Sequence, residues 1–188
     1  MTHDLMNNVQ AVFTAFLNQQ KTNQKPTLKP LLGGRSGAGL YTFSLENRKY
    51  VLRMFAEMEE IQGRERESKV TNQVAQLGFA PKVYYVDPEY RGMIIEFLPG
   101  DTLLPSEAKK PATIKKFAAF LNRLHHSKIE NLLSDGYFKR AKEWLAKAQK
   151  NKNSFPTGMD KLLKSISEIE RMASKYNLPN KLIHGDLI

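Results

Sequence analysis

The spacing of hydrophobic residues along the chain changes from a helical period to a strand period and back again. Residues 5–19 place apolar side chains three or four positions apart, which predicts an amphipathic helix. A polar, proline-containing connection follows from residue 21 to residue 30. Short apolar runs between turn signals then predict three strands, at residues 28–32, 40–45 and 50–55.

The same alternation of periods continues to the end of the chain. Helical spacing returns over residues 63–77, and Gly78 ends that helix. Two further strands are predicted at 82–86 and 92–97, and Pro99-Gly100 marks a break. Beyond the break the pattern predicts three helices and a last strand, at residues 112–126, 136–150, 158–176 and 182–188. The first of these helices is predicted to bury four residues, Ile114, Phe117, Leu121 and Leu124.

This order predicts an α+β fold with two lobes. Residues 1–98 would form an N-terminal lobe in which a helix accompanies a five-stranded antiparallel sheet. Residues 99–188 would form part of a helical lobe. A chain of 188 residues with 41% apolar content suits a soluble globular protein of this size.

Composition excludes several kinds of chemistry. The chain contains no cysteine, so a disulfide framework, a thiol nucleophile and a thiolate metal site are all excluded. Its four histidines do not show the spacing of a zinc site. The N-terminus has no signal-peptide pattern, and no stretch approaches the roughly 18 apolar residues of a membrane span. We therefore predict a cytoplasmic protein without a membrane partner.

The net charge of +10 raises the question of a nucleic-acid partner. Lysines and arginines are interspersed with acidic residues, as in Arg64-Glu65-Arg66-Glu67. That pattern favours solvated helix faces, and the sequence lacks an RNA-binding aromatic strand motif. We therefore expect no nucleic-acid partner. The positive field would still favour a small anionic partner such as ATP.

A glycine-rich segment lies between the first two predicted strands. Glycines allow backbone amides to approach phosphate oxygens closely. The segment is not a Walker A loop, because no Gly-Lys-Ser/Thr follows it. The alternative interpretation is a glycine-rich hairpin without a ligand. The candidate phosphate-binding residues are Gly33, Gly34, Ser36, Gly37 and Gly39.

Two further candidates lie on the predicted strands. Arg53 is a cation in an otherwise apolar strand, where it is costly unless it has a partner; the alternative is an outward-facing position. Glu96 and Leu98 lie where a strand leaves the sheet, so their backbone groups are free to bind an adenine edge. The alternative for that segment is an ordinary strand end.

From about residue 28 to residue 188 the chain resembles the aminoglycoside phosphotransferase and choline kinase family, whose fold is protein-kinase-like. The glycine-rich segment resembles the family's loop, although Gly37 stands where the choline-kinase pattern has Asn. Gly78–Tyr84 resembles that family's Gly-x-x-Pro-Lys-x-Tyr pattern. The other motifs that carry the resemblance are Arg53, Glu67, Ile94 to Gly100, Leu121 to His125, and His184-Gly185-Asp186-Leu187.

The resemblance implies a role for each motif. The glycine-rich segment and Arg53 would hold the phosphates of ATP, and Glu67 would pair with Arg53. Glu65 is a rival for that pairing. Adenine would bind the backbone of Glu96 and Leu98.

At the end of the chain the resemblance implies a catalytic loop. Asp186 would be the catalytic base and His184 would brace the loop, whereas His125 is interpreted as a core histidine. The family's Mg²⁺ ligands, an Asn about five positions after the Asp and a later Asp, would lie beyond residue 188. We therefore expect a truncated, inactive chain that self-associates or is unstable, from a natural protein longer by about 100 residues.

The expected function is an ATP-dependent kinase that phosphorylates the hydroxyl of a small molecule. Arg53 and residues 80–84 favour choline, ethanolamine or thiamine over an aminoglycoside as the acceptor. Two alternatives come from other classes: a non-catalytic binding module with a kinase fold, and a basic nucleic-acid-binding protein.

Overall fold

A computed structural model of the chain describes residues 3–31, 39–56, 60–101, 103–129, 137–151 and 154–176. The elements in these residues follow the predicted order, and the α+β fold with a five-stranded antiparallel sheet is confirmed. The short helix α3 was not predicted, and the strand predicted at 182–188 lies outside the described residues. The elements are α1 His3–Gln19, β1 Lys29–Pro30, β2 Leu40–Leu45, β3 Arg48–Met54, α2 Ile61–Gln76, β4 Val83–Val86, β5 Gly92–Glu96, α3 Pro105–Ala108, α4 Pro111–His126, α5 Tyr137–Lys150 and α6 Met159–Ala173.

The sheet is antiparallel throughout, with the strand order β1-β2-β3-β5-β4. A two-residue turn joins β2 to β3. Both turn residues, Glu46 and Asn47, have positive φ, at 48° and 63°. This is the type I′ geometry that matches the twist of a hairpin. The sequence predicted that this strand begins at residue 50, whereas β3 begins at Arg48.

Helix α1 covers one face of the sheet with an aromatic core. Phe13 packs edge-on against Phe43 with ring centroids 4.9 Å apart, and Phe16 packs edge-on against Tyr50 at 5.6 Å. Phe43 and Tyr50 are themselves stacked at 5.1 Å across β2 and β3. Such pairs stabilise a fold by about 0.5–1.5 kcal/mol each, in addition to the effect of burying their surface area. The amphipathic pattern of residues 5–19 therefore reflects contact with the sheet.

Strand alternation decides which side chains of β3 face this core. Tyr50, Leu52 and Met54 belong to the core cluster beneath α1. Because successive side chains point to opposite faces, Val51 and Arg53 lie on the other face of the sheet. Both Val51 and Leu52 are buried, so the central strand is covered on both faces.

The start of β5 approaches β3 closely at Gly92. A Cβ at this position would lie 2.8 Å from the backbone oxygen of Arg53 and 2.9 Å from the sulfur of Met54. The Met54 side chain could shift away, but the backbone oxygen of Arg53 cannot, so a Cβ at this position would clash with it. Gly92 is thus required for β5 to pair with β3 beside Arg53.

The turn between β4 and β5 is closed by a buried ion pair. The Asp87 side chain is fully buried and accepts two hydrogen bonds of 2.8 Å from Nε and Nη2 of Arg91. Burial alone would raise the pKa of Asp87, but the hydrogen bonds and charge of Arg91 outweigh it, so the pKa lies below its ordinary value. The bond to Asp87 likewise raises the pKa of Arg91.

Helix α4 is less buried than predicted. Leu124 is buried and Leu121 is half-buried, but Ile114 and Phe117 are 54% and 45% exposed. The prediction for those two residues is wrong. In the described part of the chain the helix is anchored near its C-terminal end, where the ring of Phe120 lies 5.4 Å from that of Phe79 and Arg123 lies over the same ring. The first turns of α4 lie outside that contact.

The chain divides into two compact units, Met1–Leu124 and His125–Ile188. The first contains the whole sheet, and the second contains α5 and α6, which are joined by a 2.5 Å ion pair between Lys142 and Glu170. The predicted lobe boundary after residue 98 rests on the Pro-Gly break and stays a prediction. None of the described helices is long and apolar enough to cross a membrane.

Truncating Phe16 tests the contribution of α1 to stability. Phe16 is fully buried, so Phe16→Ala should lower the free energy of unfolding by about 3–5 kcal/mol through lost burial and a cavity. Met6→Ala is the control, because Met6 lies on the same helix and is 49% exposed. Urea unfolding followed by circular dichroism measures both. Equal, small effects of the two changes would contradict the assigned core.

The buried Asp87 predicts a component of stability that depends on pH. Because its pKa is lowered in the folded state, its contribution is complete above its ordinary pKa of about 3.8 and is lost as pH falls through the folded value. Asp87→Asn should lower the free energy of unfolding by about 1.5–3 kcal/mol at pH 7. The difference from the unmodified chain should shrink below about pH 4.

Urea unfolding between pH 2 and pH 7 measures this difference. Glu89→Gln is the control, since Glu89 also contacts Arg91, at 3.5 Å, but is largely exposed. A difference between Asp87→Asn and the unmodified chain that stays constant down to pH 2 would contradict the lowered pKa.

Candidate functional site

Arg53 of β3 forms an ion pair with Glu67 of α2. Nη1 of Arg53 donates a hydrogen bond to Oε1 of Glu67, and the two side chains are 25% and 31% exposed. The cation in the apolar strand therefore has a partner, and the pair is partly buried. The ring of Phe55, two residues along the same strand face, lies 5.6 Å from the guanidinium carbon.

Glu65, the other candidate partner of Arg53, pairs with a different residue. It accepts a 2.6 Å hydrogen bond from Lys69, which together with the charge of Lys69 lowers the pKa of Glu65 and raises that of Lys69. Side chains two positions apart on a helix are separated by roughly 200° of rotation about its axis. Glu65 and Glu67 thus face different sides of α2, and the geometry assigns the pairing with Arg53 to Glu67.

The end of the glycine-rich segment lies directly beside Arg53. Gly39 accepts a 2.8 Å backbone hydrogen bond from Met54, and Leu40 stands opposite Arg53 in the β2–β3 register. A Cβ on Gly39 would lie 3.3 Å from the ring of Tyr41, which is a tight contact. The other four candidates of this segment, Gly33, Gly34, Ser36 and Gly37, lie outside the described residues.

The predicted adenine-binding segment begins where β5 ends. The N–H of Phe97 donates to the carbonyl of Lys49 at 3.3 Å, so the pairing with β3 extends one residue past Glu96. Nζ of Lys49 lies 3.6 Å from the centre of the Phe97 ring, a cation–π contact. Leu98 follows and is exposed. The predicted strand end at Phe97 is therefore close to the observed one.

Lys49 is a residue that the sequence analysis did not identify. It shares a face of β3 with Val51 and Arg53, and it holds the segment after β5 through both its carbonyl and its side chain. The alternation of β3 was the signal that could have indicated it, since positions 49, 51 and 53 lie on one face.

His184 and Asp186 lie outside the described residues, so their placement relative to Arg53 stays a prediction. Within residues 3–31, 39–56, 60–101, 103–129, 137–151 and 154–176, no cluster of three or more His, Asp or Glu side chains could hold a metal ion. What the structure brings together is the Arg53–Glu67 pair and the end of the glycine-rich segment.

An arginine–glutamate pair that joins a strand of an antiparallel sheet to the following helix resembles the strand-lysine and helix-glutamate pair of protein kinases. The family profile described as choline/ethanolamine kinase matches residues 28–188. The chain belongs to the choline/ethanolamine kinase family. No curated protein sequence matches the chain significantly.

Solved structures share the fold at low sequence identity. An ethanolamine kinase from Plasmodium vivax superimposes with a TM-score of 0.72 at 23% identity, over 91% of this chain and 53% of its own. The choline kinase LicA from Streptococcus pneumoniae, in complex with AMP, superimposes with a TM-score of 0.71 at 19% identity. The match covers 94% of this chain and 61% of LicA. A choline/ethanolamine kinase family protein from Mesorhizobium loti superimposes with a TM-score of 0.69 at 19% identity. The match covers 96% of this chain and 59% of that protein. The chain thus spans between half and about three-fifths of these proteins.

A double-mutant cycle tests the pairing of Arg53 with Glu67. Arg53→Ala, Glu67→Ala and the double variant should show a coupling of about 0.2–1 kcal/mol in the free energy of unfolding, as for partly exposed pairs. The matched control replaces Glu65 on the same helix, and Glu65→Ala should be additive with Arg53→Ala. Coupling to Glu65 with none to Glu67 would reverse the assignment.

Proposed function

We propose that this chain carries the nucleotide-binding part of an ATP-dependent kinase that phosphorylates the hydroxyl of a small molecule. The observation that supports this most is the Arg53–Glu67 pair beside the end of the glycine-rich segment. Membership of the choline/ethanolamine kinase family supports the same conclusion from the sequence of residues 28–188.

The pair is suited to hold phosphate groups. A guanidinium has five N–H donors in a planar fork, and Glu67 accepts a hydrogen bond from Nη1. The other donors would bind the α- and β-phosphates of ATP, while Glu67 fixes the direction of the side chain. Gly39 and the rest of the glycine-rich segment would add backbone N–H groups from the neighbouring strand end.

The other parts of the reaction rest on the family resemblance. Asp186 would orient the acceptor hydroxyl and accept its proton as the γ-phosphoryl group transfers in line, and His184 would brace that loop. Adenine would bind the backbone of Glu96 and Leu98. Magnesium would supply charge neutralisation in this chemistry, and the ligands that the resemblance implies would follow residue 188.

For the acceptor we propose choline or ethanolamine, because the family match is to choline/ethanolamine kinases. Thiamine stays a further candidate on the sequence resemblance, and an aminoglycoside is the alternative. We also propose that these 188 residues alone bind ATP weakly without turning it over, since the implied metal ligands are not among them.

Nucleotide titration and a phosphotransfer assay test this function. Calorimetry should show weak ATP binding to the unmodified chain. Arg53→Ala should weaken it roughly ten- to a hundred-fold, since it removes hydrogen bonds to charged groups worth about 1.5–3 kcal/mol. Glu65→Ala is the matched control and should leave binding unchanged. Choline, ethanolamine, thiamine and an aminoglycoside should each give no product with the 188-residue chain.

Three results other than the expected ones would each lead to a different conclusion. A folded chain that binds no ATP would contradict the nucleotide-binding function. Turnover of any acceptor by the 188-residue chain would contradict the need for later metal ligands and would identify the acceptor. Binding to mixed nucleic acid that weakens steeply with salt, without nucleotide binding, would favour the basic nucleic-acid-binding alternative.

A further inference from the structure

The end of β5 departs from a regular antiparallel ladder at Glu96. The N–H of Glu96 donates to the carbonyl of Lys82 at 2.8 Å, as expected for a hydrogen-bonded pair. In a regular pair the N–H of Lys82 would return a bond to the carbonyl of Glu96. It instead donates to the side-chain carboxylate, to Oε2 of Glu96 at 3.3 Å. The side chain therefore takes the donor that the ladder would give to the backbone.

The next residue fixes the direction of the neighbouring backbone groups. The N–H of Phe97 points toward β3, where it donates to the carbonyl of Lys49. Because backbone groups alternate between the two edges of an extended strand, those of Glu96 and Leu98 point to the opposite edge. Leu98 precedes Pro99, which favours an extended conformation and continues the alternation.

We propose that the Glu96 side chain is a positioning residue for purine recognition. By accepting the Lys82 N–H, the carboxylate leaves the Glu96 carbonyl oxygen able to accept a hydrogen bond from the 6-amino group of adenine. The Leu98 N–H, on the same edge, then donates to a ring nitrogen. This inference rests on the proposed ATP-binding function and adds a role for a side chain where that function uses only the backbone.

The proposal has a consequence for purine selectivity. A 6-oxo purine presents an acceptor where adenine presents its amino donor, so it places two acceptors against each other at the Glu96 carbonyl. If Glu96 lacks its carboxylate, the Lys82 N–H can turn to that carbonyl and compete with the adenine amino group. ATP should then lose its advantage over inosine triphosphate.

Calorimetric titration with ATP and with inosine triphosphate tests this. The unmodified chain should prefer ATP. Glu96→Ala should reduce that preference about two- to tenfold, the size of one hydrogen bond. Glu96→Gln retains an acceptor oxygen and should retain the preference. Glu107→Ala is the control, because Glu107 forms an exposed pair with Lys110 at 2.5 Å.

The outcomes separate this inference from the function on which it rests. Failure of the unmodified chain to bind either nucleotide would contradict the proposed function and the inference together. If Glu96→Ala binds ATP and keeps the preference for ATP over inosine triphosphate, the positioning role alone would be overturned. The same holds if Glu96→Ala loses affinity for both nucleotides equally. A Glu96→Gln variant that loses the preference as fully as Glu96→Ala would also overturn it.

Discussion

A guanidinium group on a largely buried strand is the constraint on which the rest of the site depends. Arg53 lies among Val51, Phe55 and Met93, and its charge would be costly there without an opposite charge. Glu67 supplies that charge, which fixes α2 against the face of the sheet opposite α1. Since roughly 200° of helix rotation separates the side of Glu67 from that of Glu65, the pairing also sets the rotation of α2 about its own axis.

Much of this arrangement followed from the sequence, because it depends on local period and on one unusual residue. The alternation of β3 predicts that Arg53 and Leu52 face opposite sides, and helical spacing predicts α1 and α2. Whether Glu65 or Glu67 pairs with Arg53 did not follow, because helical periodicity gives no reference for the rotation of α2. The hydrogen bond from Arg53 to Glu67 decided the question, and it required coordinates.

The incorrect predictions have a physical cause as well. Ile114 and Phe117 have the spacing of a buried helix face, yet spacing reports which side is apolar and not how much of it is covered. Helix α3 has four residues, too few to show a period. The carboxylate of Glu96 bonds to a backbone amide fourteen residues away, and such a contact leaves no sequence pattern.

Helix α1 shows that the family-profile match and the folded core begin at different places in this chain. The family match begins at residue 28, whereas α1 ends at Gln19 and supplies Val9, Val12, Phe13 and Phe16 to the main core. The part of the chain that the family profile matches thus contains a sheet whose hydrophobic cover comes from residues before that match. A segment that began at residue 28 would keep every recognisable motif of the sheet and lose one wall of the cooperative unit that holds them in place.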